Sequence, residues 1–94
     1  MEEFVYLSIL FDIYGNLLTE KQQVYFKCYY EDNLTMQEIA DDYNVSKNAI
    51  SKQIDIIKEK LLDYESKLKI KEKKDKIISK IDDQKIINLI EDTL

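Results

Sequence analysis

Five residues in one short stretch have the side chains to grip a nucleic acid: Ser46, Lys47, Asn48, Ser51 and Lys52. Lysine neutralises phosphate and donates to guanine, asparagine pairs its amide with adenine, and serine donates to phosphate oxygens. On a helix that starts at Ser46, these positions form one outward stripe over the first turns. Arginine, the commonest bidentate reader of guanine, is absent, because all fourteen basic residues are lysine. Asp55 lies one turn beyond Ser51, at the edge of the stripe, where it would meet phosphate badly.

No other chemistry competes with this stripe. The chain has no histidine and a single cysteine, Cys28, so an internal disulfide and a cysteine-rich metal site are excluded. Cys28 reads as a small packed hydrophobe rather than a reactive thiol. Nineteen carboxylates are present, but none is predicted beside a nucleophile or in a cleft, so they read as solvated helix faces. The expectation is a protein with no catalytic residues, no metal and no cofactor.

The stripe needs elements to hold it. Thr35 can cap a helix, with Glu38 three residues on to complete a capping box. Met36, Ile39, Ala40 and Tyr43 would supply that helix's inner face. Asn44 tolerates the left-handed backbone of a sharp turn, Val45 would plug the corner, and Ser46 would cap the next helix. Ala40 is small enough for the second helix to cross close by, and Ile50 and Ile54 would face inward. This is the layout of a helix-turn-helix whose second helix enters a groove, although plain trihelical packing can produce the same spacing.

From Ile50 the inward row continues through Ile54, Ile57, Leu61, Tyr64 and Leu68 at alternating spacings of 4 and 3. Such a heptad seam suits a partner helix, either in a second copy or in the same chain. Upstream, Phe4, Leu7, Phe11, Tyr14 and Leu18 form one helical face, and Leu10, Ile13 and Leu17 form a row beside it. Gly15 would mark a kink or the helix end. Thr19 and Gln22 form a second predicted capping box. They open a helix rich in Val24, Tyr25, Phe26, Cys28, Tyr29 and Tyr30. Those rings suit either base stacking or core packing; with only Lys27 interleaved, core is the favoured reading. A lysine-rich exposed run begins near Lys71, followed by a short helical piece at Ile77, Ile78 and Ile81. Asp82 or Asp83 would cap a last segment carrying Ile86, Ile87, Leu89, Ile90 and Leu94.

With no proline, one glycine and 45% hydrophobic residues, the chain reads as all-α. The expected architecture is a helical bundle with a helix-turn-helix and a long helix in residues 1–70, and a C-terminal helical extension in residues 71–94. The net charge of −5 is unevenly spread. Residues 1–45 carry nine acids against two lysines, whereas residues 46–76 carry ten lysines against six acids. Phosphate would therefore be met by the second half and repelled by the first. The longest nearly apolar run, Phe4 to Phe11, is too short to span a bilayer, and no signal peptide precedes it. A cytoplasmic location with no membrane partner is expected.

The stretches "LFDIYGNLLTEKQ" (10–22), "LTMQEIADDYNVSKNAI" (34–50) and "LLDYESKL" (61–68) resemble the YlxM family, small bacterial helix-turn-helix proteins similar to sigma-factor region 4. The resemblance covers about residues 4–70. It implies an all-α, winged-helix-like DNA-binding core with a long helix after the turn, and a regulatory link to the signal recognition particle pathway. Where that family carries Arg after the capping Ser, this chain has Lys47. Where the family tends to be basic a turn later, it has Asp55 and Ile56. Both changes weaken a DNA-facing surface.

Two functions are therefore expected to compete. One is a regulator that touches DNA or structured RNA through Ser46, Lys47, Asn48, Ser51 and Lys52. The other is an adaptor that uses the turn as a scaffold and binds the signal recognition particle protein or RNA polymerase. A homodimer through the first and long helices is expected in either case, since one short helix offers few contacts to a nucleic acid.

Overall fold

The computed structural model describes residues 2–80 and 84–93. Among these residues six α-helices follow in order: α1 (Glu3–Tyr14), α2 (Glu20–Phe26), α3 (Met36–Tyr43), α4 (Lys47–Leu68), α5 (Ile70–Ile78) and α6 (Gln84–Thr93). No strand occurs among the described residues, and the fold is all-α. The expected cap at Asp82 or Asp83, Ile81, Leu94 and the side chains of Ile86 and Ile87 lie outside what is described.

Both predicted capping boxes form. The Gln22 N–H donates to Thr19 Oγ1 at 3.1 Å, and the Thr19 N–H donates back to Gln22 Oε1 at 3.2 Å. Thr35 and Glu38 repeat the exchange at 3.1 Å each way. These reciprocal bonds satisfy N–H groups that a helix start leaves orphaned, which fixes where α2 and α3 begin. Gly15 ends α1 rather than kinking it, and a single 3₁₀ turn spans Gly15–Leu17. Because the chain leaves the α-helix there, Leu17 falls off the apolar row and is exposed. Phe4, at the other end of α1, is also exposed.

α4 is the axle of the bundle. Ile50, Ile54, Ile57 and Leu61 are fully buried against Leu7, Leu10, Phe11, Phe26 and Ile39, and α1, α2 and α3 all pack on it. Each such side chain contributes about 1.5–3 kcal/mol by leaving water. The heptad-spaced seam is thus consumed within its own chain as far as Leu61. Only Leu68, at its far end, remains exposed.

The end of α4 holds a feature that no local pattern announced. The lysine-rich run is largely exposed, as expected, and it is helical: it forms α5, set off from α4 by Lys69 in the left-handed conformation (φ 52°). Glu65 creates this second start. Its carboxylate accepts the N–H groups of Lys71 (3.1 Å) and Glu72 (3.2 Å) and the hydroxyl of Tyr14 (2.6 Å). The Ile70 N–H donates to the Tyr14 hydroxyl oxygen at 3.1 Å. Tyr14 on α1 and Glu65 on α4 together cap α5 from outside its own sequence.

Burial, and then the hydrogen bond to Glu65, push the Tyr14 phenol up to about 12 from an ordinary value of 10. A raised phenol contributes stability that is intact below pH 10 and lost as pH rises towards 12. Tyr14→Phe is expected to lower stability near neutrality by about 1–2 kcal/mol. It should also flatten the alkaline loss between pH 10 and 12 in urea unfolding curves. The loss will shrink rather than vanish, because burial also raises Tyr30.

Candidate nucleic-acid interface

The turn between α3 and α4 has three residues, Asn44, Val45 and Ser46. Asn44 adopts the left-handed conformation (φ 59°, ψ 42°), and the Val45 N–H donates to the Ala40 carbonyl at 3.0 Å. Asparagine accepts that backbone at less cost than other non-glycine residues, so the corner closes without a glycine. Ala40 is fully buried where the helices cross, as the spacing predicted. Two neighbours differ from expectation. Val45 does not plug the corner but stays 36% exposed, and Tyr43 is 43% exposed with its ring edge-on to Tyr25. The residues of this corner that are fully buried are Ile39, Ala40 and Ile50.

Ser46 starts α4, its Oγ accepting the Ala49 N–H at 3.0 Å. Lys47, Asn48 and Lys52 are exposed and Ser51 is half-buried at the edge of the same face. None of the three polar groups Lys47, Asn48 and Lys52 is covered by the chain's own packing. Neither lysine makes an ion pair among the described residues. The five predicted residues lie together at the N-terminal end of α4, four of them exposed.

The electrostatics of the helix starts are uneven. The first turns of α1, α2 and α3 carry Glu3, Glu20 and Glu38, each complementing the partial positive charge of a helix N-terminus. The first turn of α4 carries no acid and begins with Lys47. Lysine there opposes the helix dipole and adds to the positive potential instead of cancelling it. An anion is the partner such a terminus favours. Against this, Asp41 and Asp42 on the exposed side of α3, and Asp55 on α4, border the face with negative charge.

Two grooves flank the helix end, and neither was visible as a local pattern. One, of about 490 Å³, places Lys52, Gln53 and Ala49 of α4 opposite Thr19, Lys21 and Tyr25. Lys21 thereby joins the candidate interface, although 31 positions separate it from Lys52 in the sequence. The other groove, of about 540 Å³, includes Lys47 and the rings of Phe4, Tyr29 and Tyr30. The aromatic segment is therefore divided. Tyr25 and Phe26 are core, as favoured from the sequence, while Tyr29 and Tyr30 are half-buried on a π-turn, Lys27–Glu31. Cys28 is half-buried beside them, and burial, followed by the nearby Asp32, pushes its thiol up.

A left-handed three-residue corner, a crossing alanine and a capped, projecting second helix define a helix-turn-helix protein. The whole-chain comparison agrees: residues 1–93 match the UPF0122 family, described as "Putative helix-turn-helix protein, YlxM / p13 like". The chain belongs to that family. It is 49% identical over 73 residues to a UPF0122 protein of Clostridium acetobutylicum, covering 78% of this chain and 63% of the relative. A UPF0122 protein of Mycoplasma mycoides is 43% identical over 81 residues, covering 86% and 72%. One from Shouchella clausii is 42% identical over 73 residues, covering 78% and 67%. The chain thus spans about two thirds of the length of these relatives.

No helix among the described residues is long and apolar enough to cross a membrane.

Proposed function

We propose that this protein is a nucleic-acid-binding regulator that docks the first turns of α4 against a phosphate backbone. Ser46, Lys47 and Lys52 would hold phosphates, and Asn48 and Ser51 would meet base edges. The observation that carries the reading is the reversed charge at the start of α4. α1, α2 and α3 each carry an acid in the first turn, whereas α4, like α6, carries none and opens with the exposed Lys47. Stability forgone at an exposed helix end is explained by an anionic partner. The role is one of binding, with no catalytic step.

The resemblance to YlxM proteins extends the proposal to the signal recognition particle pathway, with its RNA or protein components as partners in the cytoplasm. Residues 1–70 would form the binding domain and residues 71–94 a helical extension latched to it through Tyr14 and Glu65. A homodimer would present two α4 ends. Val5 on α1 and Leu62 on α4 are 41% and 47% exposed and suit such a contact. Light scattering at micromolar concentration is expected to give twice the chain mass, and a monomer mass would remove the dimer from the proposal.

The test of binding is an unbiased selection from DNA and RNA pools at low and high salt. Retention at low salt that falls steeply as salt rises is expected from phosphate contacts. A second reading, a protein adaptor, is favoured by the exposed acids Glu38, Asp41 and Asp42, which suit a basic protein partner. Partners that stay bound to the protein after nuclease treatment, together with no retained nucleic acid at any salt, would replace the first reading with the second.

A further inference from the structure

The groove beside Lys47 has features that a phosphate-binding helix end does not require. Phe4, Tyr29, Tyr30, Leu34 and Met36 line it, with Lys47 at its margin. Phe4 and Tyr30 lie 6.0 Å apart at an interplanar angle of 30°, and Tyr29 meets Tyr30 edge-on at 5.0 Å. Tyr30 is held in place from behind by Phe26, which stacks on it at 4.6 Å. Phe4 remains 48% exposed, a large apolar ring left in water. Asn33, Thr35 and Gln37 complete the described lining, which contains no carboxylate of its own; Asp41 and Glu38 stand behind it, accepting from the Gln37 amide (2.8 Å) and the Thr35 N–H (3.1 Å). The Glu3–Lys58 ion pair (3.3 Å) beside Tyr30 offsets its own charge, so in a chain of net charge −5 the one charged residue of the described lining, Lys47, leaves the groove complementary to an anion-bearing ligand.

We infer that this groove takes an unpaired nucleobase from a strand whose phosphate is held by Lys47. The aromatic rings would stack on the base, the Asn33 amide would reach its hydrogen-bonding edge, and Lys47 joins the groove to the α4 face. Aromatic stacking of this kind recognises bases splayed out of loops and single strands, which a paired base in a duplex cannot offer. The π-turn that carries Tyr29 and Tyr30 fits this role, because such turns often mark binding sites. The inference rests on the proposed nucleic-acid reading and narrows it to partners with an unstacked base.

The experiment uses the full chain and a short hairpin oligonucleotide with 2-aminopurine in its loop, in RNA and DNA forms, alongside the same stem with 2-aminopurine paired. The chain has two methionines, Met1 and Met36, so a methyl-labelled sample reports the groove through one resonance, assigned with Met36→Leu. At least one loop probe is expected to lose 2-aminopurine fluorescence on binding, to shift the Met36 methyl upfield, and to bind more tightly than the paired stem. Phe4→Ala is expected to weaken loop binding about tenfold or more while leaving stem binding unchanged. Tyr29→Ala serves as a second variant, with thermal melts confirming that both fold. If loop and stem bind alike and Phe4→Ala changes neither, while Lys47→Gln still weakens both, the groove inference fails and the α4 reading stands. If no probe binds, both fail. A Met36 methyl that responds only to protein concentration or to an apolar peptide would assign the groove to a second copy or a protein partner, and would also overturn the inference.

Discussion

Replacing Lys47 and Lys52 together with glutamate is expected to abolish most nucleic-acid binding without harming the fold. Both side chains are exposed. Losing two phosphate contacts removes about 1.8 from the slope of log affinity against log salt, or about 60-fold in affinity near 0.1 M salt. The new negative charges deepen the loss to about 100-fold or more. Stability should move the other way. Lys47 opens α4, where an acid interacts favourably with the helix dipole by about 0.3–1 kcal/mol. The double variant should therefore melt at the same temperature as the parent or slightly higher. Fluorescence anisotropy at three salt concentrations, paired with a thermal melt, checks both halves. Unchanged affinity at low salt would remove α4 from the interface.

Phe26→Ala is expected to have the largest effect on stability. Phe26 is fully buried, and its ring stacks on Phe11 at 4.2 Å and on Tyr30 at 4.6 Å. Truncation costs about 3–5 kcal/mol when the surroundings cannot collapse. Collapse is limited here, because Phe11 already sits 3.2 Å from where a Cβ on Gly15 would be, so its ring is boxed in on that side. In a domain of this size the loss is expected to lower the melting temperature by about 12–40 °C. Phe26→Leu, which keeps most of the volume, should lose less than half as much. Because Phe26 also backs Tyr30, loop binding should weaken in any fraction that remains folded. A melt within a few degrees of the parent would show that the aromatic stack is not the centre of the core.

The caps and the corner were legible in the sequence because their chemistry is local. Thr19 with Gln22, Thr35 with Glu38, and Ser46 ahead of Ala49 each act over three residues, so residue type and spacing determine the geometry. Asn44 at the turn and Ala40 at the crossing are local in the same sense. The outward stripe from Lys47 to Lys52 then follows from helical periodicity alone.

Which surface meets which was not local. A seam at spacings of 4 and 3 states that Ile50, Ile54, Ile57 and Leu61 need a partner, but not whose. The tertiary structure supplies α1, α2 and α3 of the same chain. Likewise, Glu65 looks like any surface acid until the fold brings Tyr14 and the start of α5 to it. Along the sequence, only Lys27 stands among the rings of the aromatic segment. Lys47 reaches the Tyr29–Tyr30 groove from another helix, and Lys21 reaches Lys52 across the opposite one. Residue types and short-range hydrogen bonds determine where α2, α3 and α4 start and how the chain turns between α3 and α4. Packing of whole helices decides which charges and rings become neighbours, because burial is a property of the assembled bundle and not of any segment within it.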